Sequence, residues 1–158
     1  MKENVLDVLM YLFENYIDED DLVNPNRDEL KLELQEAGFA SGEVEKAFRW
    51  LDGLAELAGG EHFHPQRADA IRVYCSRELE KMEPDCCGFL LFLEQIGVLD
   101  AHTRELVIDR IMALETDQIS EDQVKWVVLM VLFNQPGQEA AFAWVEDLVF
   151  EEHTGFLH

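Results

Sequence analysis

The stretch Val124-Lys-Trp-Val-Val-Leu-Met-Val-Leu-Phe133 decides the fold of this chain, because it predicts a helix that is apolar on almost every side. Such a helix must be enclosed by other helices, since a surface helix keeps one polar face toward water. Ser120, followed by Glu121 and Asp122, marks its start, because acidic side chains in a first turn interact favourably with the helix dipole. We therefore expect a helical bundle around this segment.

Helix signals lie on both sides of this central segment. Pro136-Gly137 turns the chain into a last helix, which carries Phe142, Trp144, Val145, Leu148 and Val149. Three further helix starts precede the central segment: Ser76 as the cap of a short helix through Met82, Pro84 in the first turn of a helix that carries Phe89, Leu90, Phe92, Leu93 and Ile96, and Asp100 or Thr103 before the next. The second half is thus predicted to hold four to five helices.

The first half of the chain predicts three helices. The first has an apolar stripe at helical spacing, made by Val5, Val8, Leu9, Leu12, Phe13 and Tyr16. The second runs from Asp28 to Ala37, with Gly38 as its C-terminal cap. Ser41 can cap the third, whose inward residues are Val44, Ala47, Phe48, Leu51 and Ala55.

Residues 59–70 are the most linker-like part of the chain, with two glycines, one proline and little periodicity. We therefore expect an N-terminal subdomain at 1–58 and a C-terminal subdomain at 71–158. Ile71-Arg-Val-Tyr74 alternates apolar and polar residues and is the one candidate strand, which would need a partner such as an extended part of the linker. The predicted fold class is mainly α, with two small helical subdomains and at most one short strand or hairpin near 71–74.

The turn Ala37-Gly-Phe39, between the second and third helices, is similar to the Gly-Phe loop of UBA-like three-helix domains. In those domains the loop and the last helix commonly form a peptide-binding patch, so the resemblance implies a contact role for Phe39. A DNA-binding helix-turn-helix is the competing interpretation. It is disfavoured, because a recognition helix that contains Glu43, Glu45 and Asp52 is too acidic for the major groove.

The charge of the chain is strongly negative, since 12 Lys+Arg residues against 34 Asp+Glu residues give a formal net charge of −22. Such a surface repels nucleic-acid phosphates and anionic lipid headgroups, which proteins bind by neutralising them with lysine and arginine. Direct nucleic-acid binding and membrane binding are therefore disfavoured. The acidic residues occur along the whole chain, so we assign them to the folded surface rather than to a tail.

Several observations favour a cytoplasmic protein. Acidic residues interrupt the amino-terminal segment, which lacks the basic region and cleavage site of a secretory signal. The longest apolar run, Trp126 to Phe133, is too short to span a bilayer. The three cysteines, Cys75, Cys86 and Cys87, are an odd number and do not predict a disulfide framework.

Candidate metal ligands are few. Cys86 and Cys87 are adjacent, so on a helix their side chains point about 100° apart, and His62 and His64 lie in the linker. The acidic run Asp18–Asp21 lacks the glycine and the spacing of an EF-hand, which leaves weak divalent-cation binding as the alternative to a solvated helix end. We therefore expect no metal site.

Catalytic motifs are not found either. The chain contains no Gly-x-Ser-x-Gly elbow, no phosphate-binding Gly-x-x-x-x-Gly-Lys loop and no dinucleotide fingerprint. Its three serines, Ser41, Ser76 and Ser120, are explained as helix caps. We therefore expect no cofactor and no enzymatic activity.

Taken whole, the chain resembles the bacterial Smg family nearly from end to end. The resemblance is carried by these segments: Asp7-Val-Leu-Met-Tyr-Leu-Phe-Glu14, Ala37-Gly-Phe39, Trp50-Leu51, Ile71-Arg-Val-Tyr74, Gly88-Phe-Leu-Leu-Phe-Leu-Glu-Gln-Ile96, Lys125-Trp126, Val128-Leu-Met-Val-Leu-Phe-Asn134, Pro136-Gly137 and Leu157-His158. It implies a bacterial cytoplasmic protein and supplies no catalytic or binding residue. Cys87 departs from the family pattern, in which a basic residue is expected at that position.

Three functions remain open at this point. The leading hypothesis is a non-enzymatic adaptor or regulator that binds another protein; a basic surface on that partner is one interpretation of the acidic residues, and solubility alone is the other. The alternatives are an acidic nucleic-acid mimic, which occupies the basic site of a DNA- or RNA-handling protein, and a carboxylate-metal enzyme. The candidate contact residues are Phe39, Trp50, Phe156 and Leu157.

Overall fold

The computed structural model describes residues 4–16, 27–58, 72–133, 135 and 139–153 of the chain. Within these ranges the chain forms the helices α1 (Val5–Tyr16), α2 (Arg27–Glu36), α3 (Ser41–Ala58), α4 (Ser76–Lys81), α5 (Pro84–Gln95), α6 (Ala101–Met112), α7 (Glu121–Phe133) and α8 (Glu139–His153). The predicted mainly α fold is confirmed. None of these eight helices is long and apolar enough to cross a bilayer.

The chain divides into two compact units, Met1–Gly53 and Leu54–His158. The division falls inside α3, whereas the sequence places the subdomain boundary after residue 58. The predicted linker, residues 59–70, lies outside the described residues. The linker and the exact subdomain boundaries therefore stay predictions.

The first unit contains α1, α2 and the greater part of α3, and each helix buries one apolar face. The buried side chains are Val5, Leu6, Val8, Leu9, Leu12, Phe13, Leu30, Leu34, Val44, Ala47, Phe48 and Trp50. The apolar stripe predicted for α1 is therefore confirmed where its side chains are described, and the spacing of three and four residues is what brings them to one side.

Gly38 ends α2 in the way that the sequence predicts. Its φ of 108° is in the left-handed region, which a glycine adopts without a steric penalty. The N–H of Phe39 donates to the Leu34 carbonyl at 3.1 Å, and the N–H of Gly38 donates to the Gln35 carbonyl at 3.1 Å. These two bonds are those of a Schellman motif, so the last carbonyls of α2 are satisfied.

The second unit is built around α7, as the central apolar stretch predicts. All nine side chains from Val124 to Leu132 are buried. The neighbouring helices α5, α6 and α8 all contact α7. A helix without a polar face is thereby enclosed, and the prediction of a central helix is confirmed.

The starts of α6 and α7 are fixed by reciprocal capping. The N–H of Thr103 donates to Asp100 Oδ1 at 2.8 Å, and the N–H of Asp100 donates to Thr103 Oγ1 at 2.8 Å. Ser120 and Gln123 make the corresponding pair at the start of α7, with distances of 3.2 and 2.9 Å. Asp100 and Ser120 are thus confirmed as caps, because their side chains satisfy N–H groups that the helix itself leaves unpaired.

One local prediction in the second unit is wrong, and the candidate strand is not formed by its described residues. Ser76 is the first residue of α4, and Cys75 occupies the capping position before it; the N–H of Cys75 donates to Glu78 Oε1 at 2.9 Å. Residues 72–75 form no strand, and the one isolated β-bridge within the described ranges pairs Met82 with Ile119. The side chain of Arg72 in this segment is bonded to the carboxylates of Glu78 and Glu105.

Gly97 ends α5 with the same Schellman motif with which Gly38 ends α2. Its φ is 87°, the N–H of Val98 donates to the Leu93 carbonyl at 2.9 Å, and the N–H of Gly97 donates to the Glu94 carbonyl at 3.2 Å. The sequence contains the signal for this cap, a glycine directly after an apolar helix. This turn directs the chain from α5 into the cap of α6.

Two glycines of this region provide a matched test of backbone conformation. A Cβ at Gly88 or at Gly97 would have no atom within 4 Å, so only the backbone distinguishes the two positions. Gly88→Ala, inside α5, should raise the free energy of unfolding by about 1 kcal/mol, because alanine is the better helix former. Gly97→Ala should lower it by about 1–2 kcal/mol, because alanine disfavours a positive φ. Urea unfolding measures both changes, and equal changes would contradict the assignment of Gly97 as a left-handed cap.

Candidate functional site

The four predicted contact residues differ in their exposure, and two of them lie outside the described residues. Phe39 is half-buried, and its ring meets the ring of Tyr11 edge-on, with 5.4 Å between the centroids. Trp50 has 4% of its surface exposed, so it is a core residue of α3 and is not available to a partner. This corrects its inclusion among the contact residues; the apolar stripe of α3 includes it. Phe156 and Leu157 lie outside the described residues.

The second unit exposes an apolar surface that the sequence analysis did not find. Phe92 on α5 has 46% of its surface exposed, and Trp144 on α8 has 40%. Their ring centroids are 6.3 Å apart, so the two side chains form one surface. Ile96, one turn after Phe92 and just beyond the end of α5, is 47% exposed. We call Phe92, Ile96 and Trp144 the apolar patch.

The positions of these side chains follow from the way in which α5 and α8 pack. Helix α5 buries Cys86, Phe89, Leu90 and Leu93. Residues 89 to 93 form a continuous apolar run that goes more than once around the helix, so they cannot all face the core, and Phe92 lies outside the buried face. Among the α8 side chains that the structure describes, the buried positions are Val145 and Val149, and Trp144 faces outward. The patch thus consists of apolar side chains of α5 and α8 that do not fit on the buried faces of these helices.

The two helices that carry the apolar patch have no lysine and no arginine. Their acidic residues are Asp85, Glu94, Glu139, Glu146, Asp147, Glu151 and Glu152. Asp85, Glu139 and Asp147 are exposed. Glu94 differs from them, because its carboxylate is bonded to Arg104. The apolar patch therefore lies on helices whose exposed charges are negative.

Five charged residues of the second unit form one hydrogen-bonded cluster. The side chain of Arg104 is 2% exposed; its Nη1 donates to both oxygens of Glu94, at 3.0 and 2.9 Å, and its Nε donates to Glu105 at 2.9 Å. Arg72 donates from Nε to Glu105 at 2.8 Å and from Nη2 to Glu78 at 2.8 Å. Glu105 accepts bonds from both guanidinium groups and joins them into one network.

The pKa values of this network match its bonding. Burial opposes the ionisation of Glu78, but the hydrogen bonds from Arg72 and from the N–H of Cys75 outweigh it, so the pKa of Glu78 lies below its ordinary value. The hydrogen bonds to Glu78 and Glu105 raise the pKa of Arg72. The Arg72 guanidinium also lies over the ring of Tyr74, 5.0 Å from its centroid, and burial raises the pKa of Tyr74 to about 12. The directions of these shifts keep Glu78 and Arg72 charged and Tyr74 neutral at neutral pH.

The two neighbouring cysteines are poorly suited to nucleophilic chemistry. Burial raises the pKa of Cys86, whose Sγ donates to the Ile119 carbonyl at 3.4 Å. Burial, and then the negative charge of Glu78, raise the pKa of Cys87 against the opposing effect of Arg72. A thiol is a weak nucleophile while it stays protonated. The arrangement therefore favours a structural role for both residues.

Lys81 is a buried cation with a structural task. It is 8% exposed, and its Nζ donates to the carbonyls of Met112, at 3.3 Å, and Leu114. These carbonyls lie at the C-terminal end of α6, where a lysine is favourable. Burial, and then repulsion by Arg77, lower the pKa of Lys81.

No group of three or more His, Cys, Asp or Glu side chains in the described ranges of the chain could hold a metal ion. His62, His64 and the acidic run Asp18–Asp21 lie outside them. Of the residues considered as ligands, only Cys86 and Cys87 are described.

The charged network predicts a large effect of one substitution. Arg72→Met keeps the aliphatic stem but leaves Glu78 and Glu105 with less compensation, and breaking a partly buried pair costs about 2–3 kcal/mol of unfolding free energy. The pKa of Glu78 is depressed in the folded state, so this contribution is present above the unfolded pKa of a glutamate, about 4.3. It is lost as the pH falls through the lower, folded value.

Urea unfolding of wild type and Arg72→Met between pH 7 and pH 2 measures this contribution. Arg27→Met is the control, because Arg27 makes a bidentate pair with Asp52 in which both side chains are about half exposed. Such exposed pairs contribute about 0–1 kcal/mol. A difference for Arg72→Met that stays constant down to pH 2 would contradict the role of the carboxylates.

Tryptophan fluorescence can test the exposure of the apolar patch directly. Of the three tryptophans, Trp50 and Trp126 are 4% and 3% exposed, whereas Trp144 is 40% exposed. Acrylamide should therefore quench mainly Trp144, and Trp144→Phe should remove the quenchable fraction. At low salt the cation Cs⁺ should quench more strongly than the anion I⁻, because the negative surface attracts the one and repels the other. Equal quenching of wild type and Trp144→Phe would show that the patch is covered.

Comparison with known proteins agrees with the resemblance found in the sequence. A family model described as "Protein of unknown function (DUF494)" matches residues 5–158. Relatives named "Protein Smg homolog" match over the full length of both chains, with 56% identity in Nitrosococcus oceani and 57% in Thioalkalivibrio sulfidiphilus. No solved structure matches the chain. The protein therefore belongs to the Smg family, the family that the DUF494 model describes.

Proposed function

We propose that this protein is a non-enzymatic adaptor or regulator that binds another protein through the apolar patch. The observation that carries the proposal is the contact between two exposed aromatic rings, Phe92 and Trp144, with Ile96 one turn away. Exposed aromatic side chains of this kind are enriched at protein interfaces, where their burial supplies much of the binding free energy. Single apolar residues scattered over a surface are common and would not indicate a binding site.

The bonding of the polar clusters supports the non-enzymatic part of the proposal. A catalytic carboxylate works best with a pKa near the operating pH. The pKa of Glu78 is shifted the other way, and Glu94 and Glu105 accept hydrogen bonds from Arg104. These carboxylates accept hydrogen bonds from the buried guanidinium of Arg104 and the half-buried guanidinium of Arg72, which is a stabilising role.

The bacterial cytoplasm is the proposed location. The relatives named above are bacterial proteins. All three cysteines, Cys75, Cys86 and Cys87, are free thiols, which is usual in a reducing compartment. A protein partner in the same compartment is the simplest consequence.

The acidic nucleic-acid mimic remains the second candidate, and the formal charge of −22 favours it. In a mimic, carboxylates would make the contact and the apolar patch would be dispensable. Added salt would then abolish binding, since interactions between exposed charges are screened within about 10 Å at 0.1 M salt. An adaptor that binds through aromatic side chains would keep its partner in high salt.

Affinity capture with immobilised full-length protein separates these two functions. Wild type should retain the same bacterial proteins at about 0.05 M and about 0.5 M salt, whereas Phe92→Ser/Trp144→Ser should lose them at least ~10-fold, which is the loss of a ~1.4 kcal/mol contact. Leu91→Ser is the matched control, because Leu91 is 49% exposed on the same helix and points about 100° away from Phe92.

Two results would contradict the adaptor proposal. Retention that is equal for the double variant and wild type would remove the patch from the interface. Retention at low salt alone, with displacement by added DNA, would favour the mimic. Thermal unfolding of each variant checks that the fold is kept. We expect it to be kept because 46% of the surface of Phe92 and 40% of that of Trp144 are already exposed.

A further inference from the structure

We propose that the segment that docks on the apolar patch is a cationic amphipathic helix of the partner protein; this inference rests on the proposed function and names the chemistry of its partner. Such a helix would place an apolar stripe on Phe92, Ile96 and Trp144. Its lysine and arginine side chains would face the carboxylates beside the patch. The shape of the patch, its charge and the charge of the whole chain each support this occupant.

The shape of the patch suits a helix. Phe92 and Ile96 are one helical turn apart, about 6 Å along the axis, and Trp144 lies beside Phe92 on a second helix. Two adjacent helices with exposed apolar side chains form the kind of surface on which an amphipathic helix binds through residues i, i+3, i+4 and i+7. Addition of a peptide as a β-strand would instead need a free sheet edge, and the described residues form no sheet.

The carboxylates beside the patch determine the charge of the occupant. Asp85 lies two turns before Phe92 on the same side of α5, and Asp147 lies one turn after Trp144 on α8; both are exposed. Since α5 and α8 contain no lysine or arginine, these carboxylates have no cation on their own helices. Lysine or arginine side chains at the edges of the docked helix would supply that charge, in the arrangement of a polar rim around an apolar centre.

The net charge disfavours the other occupants. A second copy of this chain would bring a further formal charge of −22 to the same surface. Nucleic acid and anionic lipid are negative as well. A neutral apolar segment could fill the patch, but it would leave Asp85 and Asp147 beside a less polar surface without a counter-charge. A cationic helix meets both the apolar and the electrostatic requirement.

Designed peptides can test this inference with the full-length protein. The probe is an 18-residue helix of leucine and lysine, about five turns long, with leucine at helical spacing. One control has the same composition in an order that breaks the helical period, and the other replaces lysine by glutamate. Binding is followed by the emission of Trp144, the exposed tryptophan, which should shift to shorter wavelength as the peptide covers it.

We expect the leucine–lysine helix to bind at least ~10-fold more tightly than either control peptide. Phe92→Ser should weaken this binding at least ~10-fold, and Leu91→Ser should leave it unchanged. Asp85→Asn/Asp147→Asn should weaken binding severalfold at low salt and reduce its salt dependence. The variants keep Trp144, so the same fluorescence signal reports on all of them.

Several results would overturn the inference. Equal binding of the scrambled peptide would mean a non-specific attraction of cations to an acidic protein. Binding that Phe92→Ser leaves unchanged would place the peptide elsewhere. Concentration-dependent dimers in sedimentation, lost in Phe92→Ser, would make a second copy the occupant. If no peptide binds while lysate capture still depends on Phe92 and Trp144, the cationic helix is wrong and the proposed function stands; if both fail, both are wrong.

Discussion

The second unit depends on the enclosure of α7, a helix that has no polar face. All nine side chains from Val124 to Leu132 are buried, and burying one large apolar side chain contributes about 1.5–3 kcal/mol. An exposed ion pair contributes about 0–1 kcal/mol, so no surface interaction can compete with this helix for the arrangement of the bundle. The helices α5, α6 and α8 must each give one face to α7. Any further apolar residue on those helices has no inner face left to occupy, and this is why Phe92 and Trp144 meet at the surface.

The charged residues then hold the connecting segments, whose positions the apolar core does not determine. Residues 72–75 have no regular structure, and Arg72 fastens them to α4 and α6 through Glu78 and Glu105. Lys81 and the Ile119 N–H, which donates to the Lys81 carbonyl at 2.9 Å, hold the segment between α6 and α7 against α4. A buried charge that is fully hydrogen-bonded tolerates little displacement, so these contacts select one arrangement of connections around a core whose apolar side chains are less specific.

Local signals in the sequence predict local structure well, and they fail where packing decides. Gly38, Asp100 and Ser120 were predictable as caps, because each acts on backbone groups a few residues away. The partners of Arg72 include a carboxylate 33 residues further along, and no periodicity connects the two. Trp50 and Trp144 both lie in apolar helical segments, yet one is 4% and the other 40% exposed. A continuous apolar run such as residues 89 to 93 cannot say which of its sides faces the core, so the apolar patch required the structure.

An exposed aromatic surface promotes self-association, and an extreme net charge destabilises the compact state. When both are present, the charge opposes the self-association. Exposed apolar patches promote self-association, whereas a formal charge of −22 makes two copies of the chain repel each other. The same charge makes the compact state repel itself, which the arginines in the network with Glu78, Glu94 and Glu105 partly offset. Solubility explains the acidic residues but gives no reason to keep Phe92 and Trp144 at the surface. A cationic partner would cover the exposed apolar area and balance the negative charge in one step, so the charge that opposes self-association would also select what the protein binds.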